Sequence, residues 1–151
     1  MAPLIVLIVV TLVARAVGAL GLDYVESWPS ALAVGLGAMF ILTGLSHFSP
    51  QRRAGLIAIV PPRLPRPEML VTFTGVMELL GAGLLLVPWS AGPFRTLGAV
   101  GLALLLVAMF PANVYAAGAK RSPHSPHTSF VARSAMQCVF LASALAVATF
   151  R

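Results

Sequence analysis

Charged residues and cysteine are both scarce in this sequence. Of its 151 residues only four are aspartate or glutamate, and residues of either charge make up 9%. A soluble domain carries far more charge on its surface, whereas a hydrophobic content of 59% is typical of an integral membrane protein. The single cysteine, Cys138, excludes an intrachain disulfide and a CxxC redox motif.

Several motifs of soluble enzymes are also missing. The sequence contains no phosphate-binding glycine loop, no nucleophile elbow and no HExxH helix. Its net charge of +6 comes from basic residues in short links between apolar runs, where such residues orient a chain in a membrane. We therefore expect the lipid bilayer, and not nucleic acid, as a partner, while enzymatic activity is left open.

Five apolar runs dominate the chain. A run of about 20 residues spans the hydrocarbon core of a bilayer as a helix. The runs predict an all-α, polytopic transmembrane bundle of five helices in a single membrane domain, residues 1–151, with spans at 3–22, 30–48, 69–88, 94–117 and 129–150. The first run lacks a basic N-terminal region and contains Arg15, so we interpret it as a retained helix and not as a signal peptide.

The link at residues 50–67 is the longest polar segment. Its apolar patch, Ala54–Val60, is too short to span a bilayer, so we predict that it lies at the membrane interface. Its last residues, PPRLPRP at Pro61–Pro67, predict a stiff and extended segment because proline fixes φ and cannot continue a helix.

Basic residues are distributed unequally between the two sides of a five-span bundle. The side of the N-terminus holds Arg52, Arg53, Arg63, Arg66, Lys120 and Arg121, and the other side holds Arg95 and Arg151 with Asp23 and Glu26. The positive-inside rule therefore places the N-terminus in the cytoplasm and the C-terminus outside. A four-span arrangement, with the first run lying flat, would instead put both termini on one side.

Glu78 lies near the middle of the third apolar run. An ionisable group at that depth costs on the order of 3 kcal/mol unless it is paired or protonated. On a helix it shares a face with the small residues Gly75 and Ala82, which allow another helix to approach closely. We therefore predict that Glu78 faces the protein interior. The alternative is a protonated glutamic acid that only holds helices together.

Four further polar side chains occupy the same half of the predicted bundle: His47, Asn113, Arg133 and Gln137. Together with Glu78 they indicate either a ligand-binding pocket or a structural polar network, and the residues alone do not separate these two. Arg133 could also extend to lipid phosphates, and Asn113 could satisfy a backbone carbonyl left free by Pro111.

Arg15 and the histidines suggest two further sites. Arg15 lies too deep in the first run to reach water easily, so we predict an intramembrane ion pair with Glu78 or a contact with backbone carbonyls. His47, His124 and His127 would share one side of the membrane and could bind a metal. Serine and proline surround the two loop histidines, however, so we predict a solvated loop and no metal.

Five segments of the chain resemble one known family. These segments are Met39–Pro50, Pro61–Pro67, Thr74–Pro88, Met109–Ala117, and Arg133 with Gln137. In order and spacing they resemble the DoxX-like family of small bacterial integral membrane proteins, over residues 28–145. The resemblance implies an inner-membrane protein with a four-helix core, to which the first run is an extra N-terminal helix. It also picks out the same five polar positions.

The residues and the resemblance support three hypotheses. In the first, the chain is a redox-linked membrane subunit that binds a quinone, or another lipophilic ligand, in the cytoplasmic half. Glu78 would carry a proton, His47 would hydrogen-bond a carbonyl oxygen, and Arg133 would stabilise negative charge. Asn113 and Gln137 would orient the ring.

The second hypothesis is a non-enzymatic accessory subunit or assembly factor of a larger membrane protein complex or a homo-oligomer. In this case the polar residues only specify the bundle. The third is a transporter for a small solute, although the sequence shows no inverted repeat.

Overall fold

The computed structural model describes residues 1–120, 123 and 128–150. In this part of the chain the regular elements are all helical. The α-helices are α1 (Ala2–Ala19), α2 (Trp28–Ser46), α3 (Pro50–Ala58), α4 (Pro67–Leu85), α5 (Phe94–Gly118) and α6 (Phe130–Thr149), with single 3₁₀ turns at Asp23–Val25 and Trp89–Ala91. All except α3 are long and apolar enough to span a membrane. The predicted all-α architecture is confirmed for the described residues, and the five helices long enough to span indicate a multi-pass membrane protein.

The described residues leave out Arg121, His124, His127 and Arg151. The metal site considered above would include His124 and His127, and the topology prediction counted Arg121 and Arg151. The structure therefore tests neither of these contributions.

Proline and serine start most of the helices. Proline occupies one of the first two positions of α1, α2, α3 and α4, where its missing N–H is not needed. Ser27 caps α2 by accepting a hydrogen bond from the backbone N–H of Ser30 at 3.3 Å. Ser129 caps α6 in the same way, with Ala132 as donor.

The helices pack as a ring with one helix outside it. Packed pairs are α2 with α4, α4 with α5, α5 with α6, and α6 again with α2, while α1 packs chiefly on α2. The core between the four ring helices is apolar and includes Leu36, Leu85 and Leu102. The helix ends that adjoin α3 form one end of the bundle, which we call the link end. It contains the end of α2, the start of α4, the end of α5 and the start of α6.

Two glycines of α4 set the spacing of the ring. A Cβ atom on Gly75 would lie 2.6 Å from the His47 Cβ, so a larger residue would push α2 away. A Cβ on Gly81 would lie 2.5 Å from the Leu102 Cγ of α5. Small residues at both positions therefore let α4 approach its two neighbours closely.

The link between α2 and α4 differs from its prediction. The segment predicted to be extended, Pro61–Pro67, instead turns: the Leu64 N–H donates to the Pro61 carbonyl at 2.9 Å, and Arg66 has a left-handed φ of 51°. The physical reason is the short path between α3 and α4, which eight residues must close while reversing direction. The apolar patch at Ala54–Val60 belongs largely to helix α3 and does not span.

Candidate ligand-binding cavity

A cavity of about 250 Å³ opens at the link end between the four ring helices. Each of these helices contributes at least one polar side chain to its wall. The five predicted residues all line it: His47, Glu78, Asn113, Arg133 and Gln137. The structure thus brings together on one cavity five residues that the sequence spreads over 91 positions, from 47 to 137 inclusive.

Glu78 is the most deeply placed of these groups, since its residue is only 3% exposed. Its side chain points from the middle of α4 into the cavity and faces α2. The Thr43 side chain of α2 interacts with its carboxyl. Its second oxygen, Oε2, is buried and has no hydrogen-bond partner within the described part of the chain. A buried carboxyl oxygen without a partner is costly, so this atom is available to a ligand.

The neighbouring hydroxyl constrains the protonation state of Glu78. Thr43 Oγ1 lies 3.2 Å from the Met39 carbonyl and 3.3 Å from the Phe40 carbonyl, so its single proton is already donated to its own helix. Towards Glu78 this hydroxyl can therefore only accept a hydrogen bond. A protonated carboxyl would donate to it, whereas a carboxylate would face another acceptor.

His47 follows the last residue of α2 and is buried. Its Nδ1 lies 2.9 Å from the Thr43 carbonyl, which can only accept, so Nδ1 carries a proton. Burial, assisted by the nearby positive charge of Arg53, lowers the pKa of His47 and favours the neutral ring. In that form Nε2 is an acceptor. The predicted donation from His47 to a ligand carbonyl therefore does not fit this tautomer.

The amides of Asn113 and Gln137 form a continuous hydrogen-bonded chain between α5 and α6. Arg133 Nη1 donates to Asn113 Oδ1 at 3.3 Å, and Asn113 Nδ2 donates to Gln137 Oε1 at 2.7 Å. Gln137 Nε2 then donates to the Leu106 carbonyl at 2.6 Å. The carbonyl acceptor fixes the orientation of both amides. Both amides are thus engaged with the protein, and their role is to hold Arg133.

The hydrogen bonds near Pro111 of α5 also differ from those predicted. The sequence suggested that Asn113 would satisfy a backbone carbonyl near Pro111. In the structure it is Gln137, from the neighbouring helix, that reaches the preceding turn of α5. The Arg133 guanidinium also donates from Nε to the Thr128 carbonyl at 3.3 Å, so the charge is stabilised by protein oxygens as well as by any lipid.

Arg15 does not form the predicted ion pair or carbonyl contact. Its guanidinium carbon lies 5.6 Å from the centre of the Trp28 ring, and its Nε has no hydrogen-bond partner among the described residues. The reason is its position: α1 ends at Ala19, so Arg15 is one turn from the end opposite the cavity, beside the start of α2. A cation–π contact there replaces the predicted pairing with Glu78.

Arg95 is a buried cation that the sequence placed at the start of the fourth span and that was counted only as a charge of the outer side. It is fully buried, and it donates from Nε to the Val87 carbonyl at 3.0 Å and from Nη1 to Ser30 Oγ at 3.1 Å. Its guanidinium carbon lies 5.2 Å from the ring centre of Tyr24 and 4.9 Å from that of Trp89. We call Arg95, Tyr24 and Trp89 the arginine box. Two aromatic residues on the same predicted side as the arginine were the signal that could have revealed it.

Metal binding finds no support in the described residues. No three His, Cys, Asp or Glu side chains in this part of the chain are arranged to hold an ion. His124 and His127 fall outside it.

A comparison with known protein families finds a match over most of the chain. Residues 36–148 match a protein family described as Domain of unknown function (DUF8561), which covers about three quarters of the chain. No curated protein and no solved structure matches this chain. The matched region begins within α2 and contains all five cavity residues.

Proposed function

We propose that this chain, which belongs to the family described as Domain of unknown function (DUF8561), binds a lipophilic ligand whose polar head lies in the cavity at the link end. One observation carries the proposal: Glu78 Oε2 is buried in the cavity wall without a hydrogen-bond partner in the described chain. A protein that needed Glu78 only to hold helices would be expected to satisfy that oxygen.

The polar atoms left for a ligand define the chemistry of its head. His47 Nε2 accepts, and Glu78 Oε2 also accepts, because the proton of a protonated Glu78 is donated to Thr43. A hydroxyl group on the ligand would donate to His47, and a second oxygen would bond to Glu78. A quinol, the reduced form of a quinone, carries two such oxygens on opposite edges of a small ring. Arg133, held in place by Asn113, would stabilise negative charge on the head.

The fuller form of the proposal is a redox-linked membrane subunit of the DoxX-like kind. The DoxX-like motifs, the five cavity residues and the quinol-compatible head site support it. In this form a partner protein supplies the other half of the redox reaction. A bacterial inner membrane, with the N-terminus in the cytoplasm and the C-terminus outside, belongs to the same proposal.

A second candidate is the accessory subunit or assembly factor of a larger membrane complex. The chain from Arg133 through Asn113 and Gln137 to the Leu106 carbonyl favours it, since this chain is closed on the protein itself. A network of that kind specifies a bundle without any ligand. It does not include Glu78, and for this reason we place ligand binding first.

The test compares two substitutions on one helix. We would purify the wild type, Glu78→Leu and Glu68→Leu in a mild detergent and identify co-purifying lipids and quinones by mass spectrometry. Glu68 is the matched control because it is exposed in the first turn of α4, away from the cavity. Leucine cannot hydrogen-bond to the ligand, so we expect Glu78→Leu to weaken ligand binding at least tenfold, corresponding to about 1.4 kcal/mol, and Glu68→Leu to leave it unchanged.

The same preparations separate ligand binding from a structural role. If Glu78→Leu lowers the thermal unfolding temperature but leaves ligand occupancy per folded molecule unchanged, the ligand role is wrong and the accessory-subunit proposal stands. If the wild type carries no lipophilic molecule above the level of detergent-exchanged bulk lipid, the proposed function fails.

A further inference from the structure

A second cavity, of about 230 Å³, adjoins the first. It lies between the link-end halves of α4 and α5, under α3 and the following turn. The two cavities share part of their walls: His47, Leu56, Ile59, Met109 and Ala112 line both. His47 therefore stands at the junction between them.

The chemistry of this second cavity is almost wholly apolar. Apart from His47, its one polar side chain is Thr74, whose hydroxyl donates to the Leu70 carbonyl at 2.9 Å and is therefore satisfied. The remaining wall is built from aliphatic, proline and phenylalanine residues. Such a space suits a hydrocarbon chain and offers no binding energy to a polar group.

The second cavity leads outwards, to the surface of the bundle. Leu64 and Phe73 both line it, and they are 45% and 58% exposed. Its origin lies in the packing of α4 on α5. Gly81 and Gly98 bring the two helices together in the half away from the link, whereas at the link end α3 and its following turn cover the gap between them.

We propose that the ligand is an amphiphile with two parts, a hydroxyl-bearing head in the first cavity and a single apolar chain that leaves through the second cavity into the bilayer. This inference rests on the proposed function, and it adds the chain and its path. Ligand pockets commonly measure about 300–1,000 Å³. Each cavity alone is smaller than this, and the two joined at His47 fall within the range.

The arrangement also predicts lateral entry. The head would pass from the bilayer between Leu64 and Phe73, beneath α3, and reach Glu78 without crossing water. The bilayer is thus both the source of the ligand and the solvent of its chain. A head with no chain would occupy the first cavity alone and would lose the apolar contacts of the second.

The test uses two probes that differ only in the chain. Decylubiquinol and its tail-less parent, 2,3-dimethoxy-5-methylhydroquinone, would be titrated anaerobically against the purified protein by microscale thermophoresis at one detergent concentration. Each probe is compared between variants, so its partition into micelles cancels. Ala108→Trp fills the second cavity from an exposed position on α5. Ala142→Trp, at an exposed position on α6 that lines neither cavity, is the matched control.

We expect Ala108→Trp to weaken binding of the tailed probe at least tenfold and to change binding of the tail-less probe by less than twofold. Ala142→Trp should change neither, and Glu78→Leu should weaken both. If Ala108→Trp binds the tailed probe as the wild type does, or weakens both probes equally, the two-part ligand is wrong while the proposed function stands. If neither probe binds the wild type, the proposed head chemistry fails, and this inference fails with it.

Discussion

At the scale of single residues, the interior treats its buried cations and its buried acid differently. Arg95 contacts a carbonyl, a hydroxyl and two aromatic rings, although its Nη2 is buried without a hydrogen-bond partner in the described chain, and Arg133 contacts amide and backbone oxygens. Glu78 interacts with Thr43 alone among the groups described here. Because these contacts to the cations come from neutral groups, the acid is not consumed in balancing them. This asymmetry is the main reason for assigning Glu78 to a ligand.

The arginine box allows a residue-scale prediction about stability. Arg95→Lys keeps the charge but loses the planar stacking on Tyr24 and Trp89, and a cation–π contact of this kind is worth about 0.5–2 kcal/mol. We expect Arg95→Lys to lower the free energy of unfolding by about 1–3 kcal/mol once the hydrogen bond to Ser30 is also weakened. Chemical denaturation in detergent would measure it.

The control for the arginine box is Arg52→Lys, the same substitution at an exposed position of α3. It should leave the free energy of unfolding unchanged. Equal stability of Arg95→Lys and the wild type would show that the stacked arrangement contributes nothing.

At the scale of elements, α3 acts as the roof of both cavities because Leu56 lines each of them. The Arg53 side chain holds α3 in this position. Arg53 donates to the His47 carbonyl at 3.2 Å, to the Glu68 carbonyl at 3.1 Å and to Thr72 Oγ1 at 2.9 Å. It thereby ties α3 to the end of α2 and to the first turns of α4.

Removing the hydrogen bonds of Arg53 should make α3 more mobile over the two cavities. In a Cys138→Ser background with Leu56→Cys, we expect Arg53→Ala to raise the rate of maleimide labelling several-fold, since three hydrogen bonds that hold α3 are lost. Arg52→Ala, the adjacent exposed arginine, is the matched control and should not change the rate. Equal labelling rates for the two variants would contradict a role for Arg53 in closing the cavities.

Elements also show how far the sequence could predict this structure. Apolar length located the five spans, because burial in lipid depends on runs of residues along one segment. The convergence of Glu78 and Gln137 followed from depth and from the cost of polar groups in hydrocarbon. The turn at Pro61–Leu64 did not follow, since it depends on the short path between α3 and α4. The burial of Arg95 did not follow either, since it depends on contacts with residues distant in the sequence.

The tautomer of His47 was also unpredictable, although the group that sets it is close in sequence. It is set by the geometry of a backbone carbonyl one turn earlier, at Thr43. A sequence identifies a histidine at the right depth, but it does not specify which ring nitrogen is occupied. The role of the residue therefore changed from donor to acceptor once its surroundings were known.

At the scale of the whole molecule, the structure sharpens the charge asymmetry that orients the chain. Arg52, Arg63 and Arg66 are exposed at the link end. On the opposite side Arg95 is fully buried within the protein, so it does not act as a loop charge. The asymmetry between the two ends is therefore greater than a count of residues suggests.

This asymmetry predicts the topology of the chain. Because cytoplasmic loops retain Lys and Arg, we expect the link end to face the cytoplasm and the C-terminal end of α6 to face outwards. Alkaline phosphatase fused after α6 should be active and green fluorescent protein at that site dark. A fluorescent protein inserted after Leu64 should be bright, since exposed Leu64 lies in the turn between α3 and α4. Five spans put these two sites on opposite sides of the membrane, so reporters that agree in sidedness would contradict the five-span membrane arrangement itself. Opposite but reversed signals would retain the five spans and reverse the orientation, placing the cavity mouth and its arginines outside.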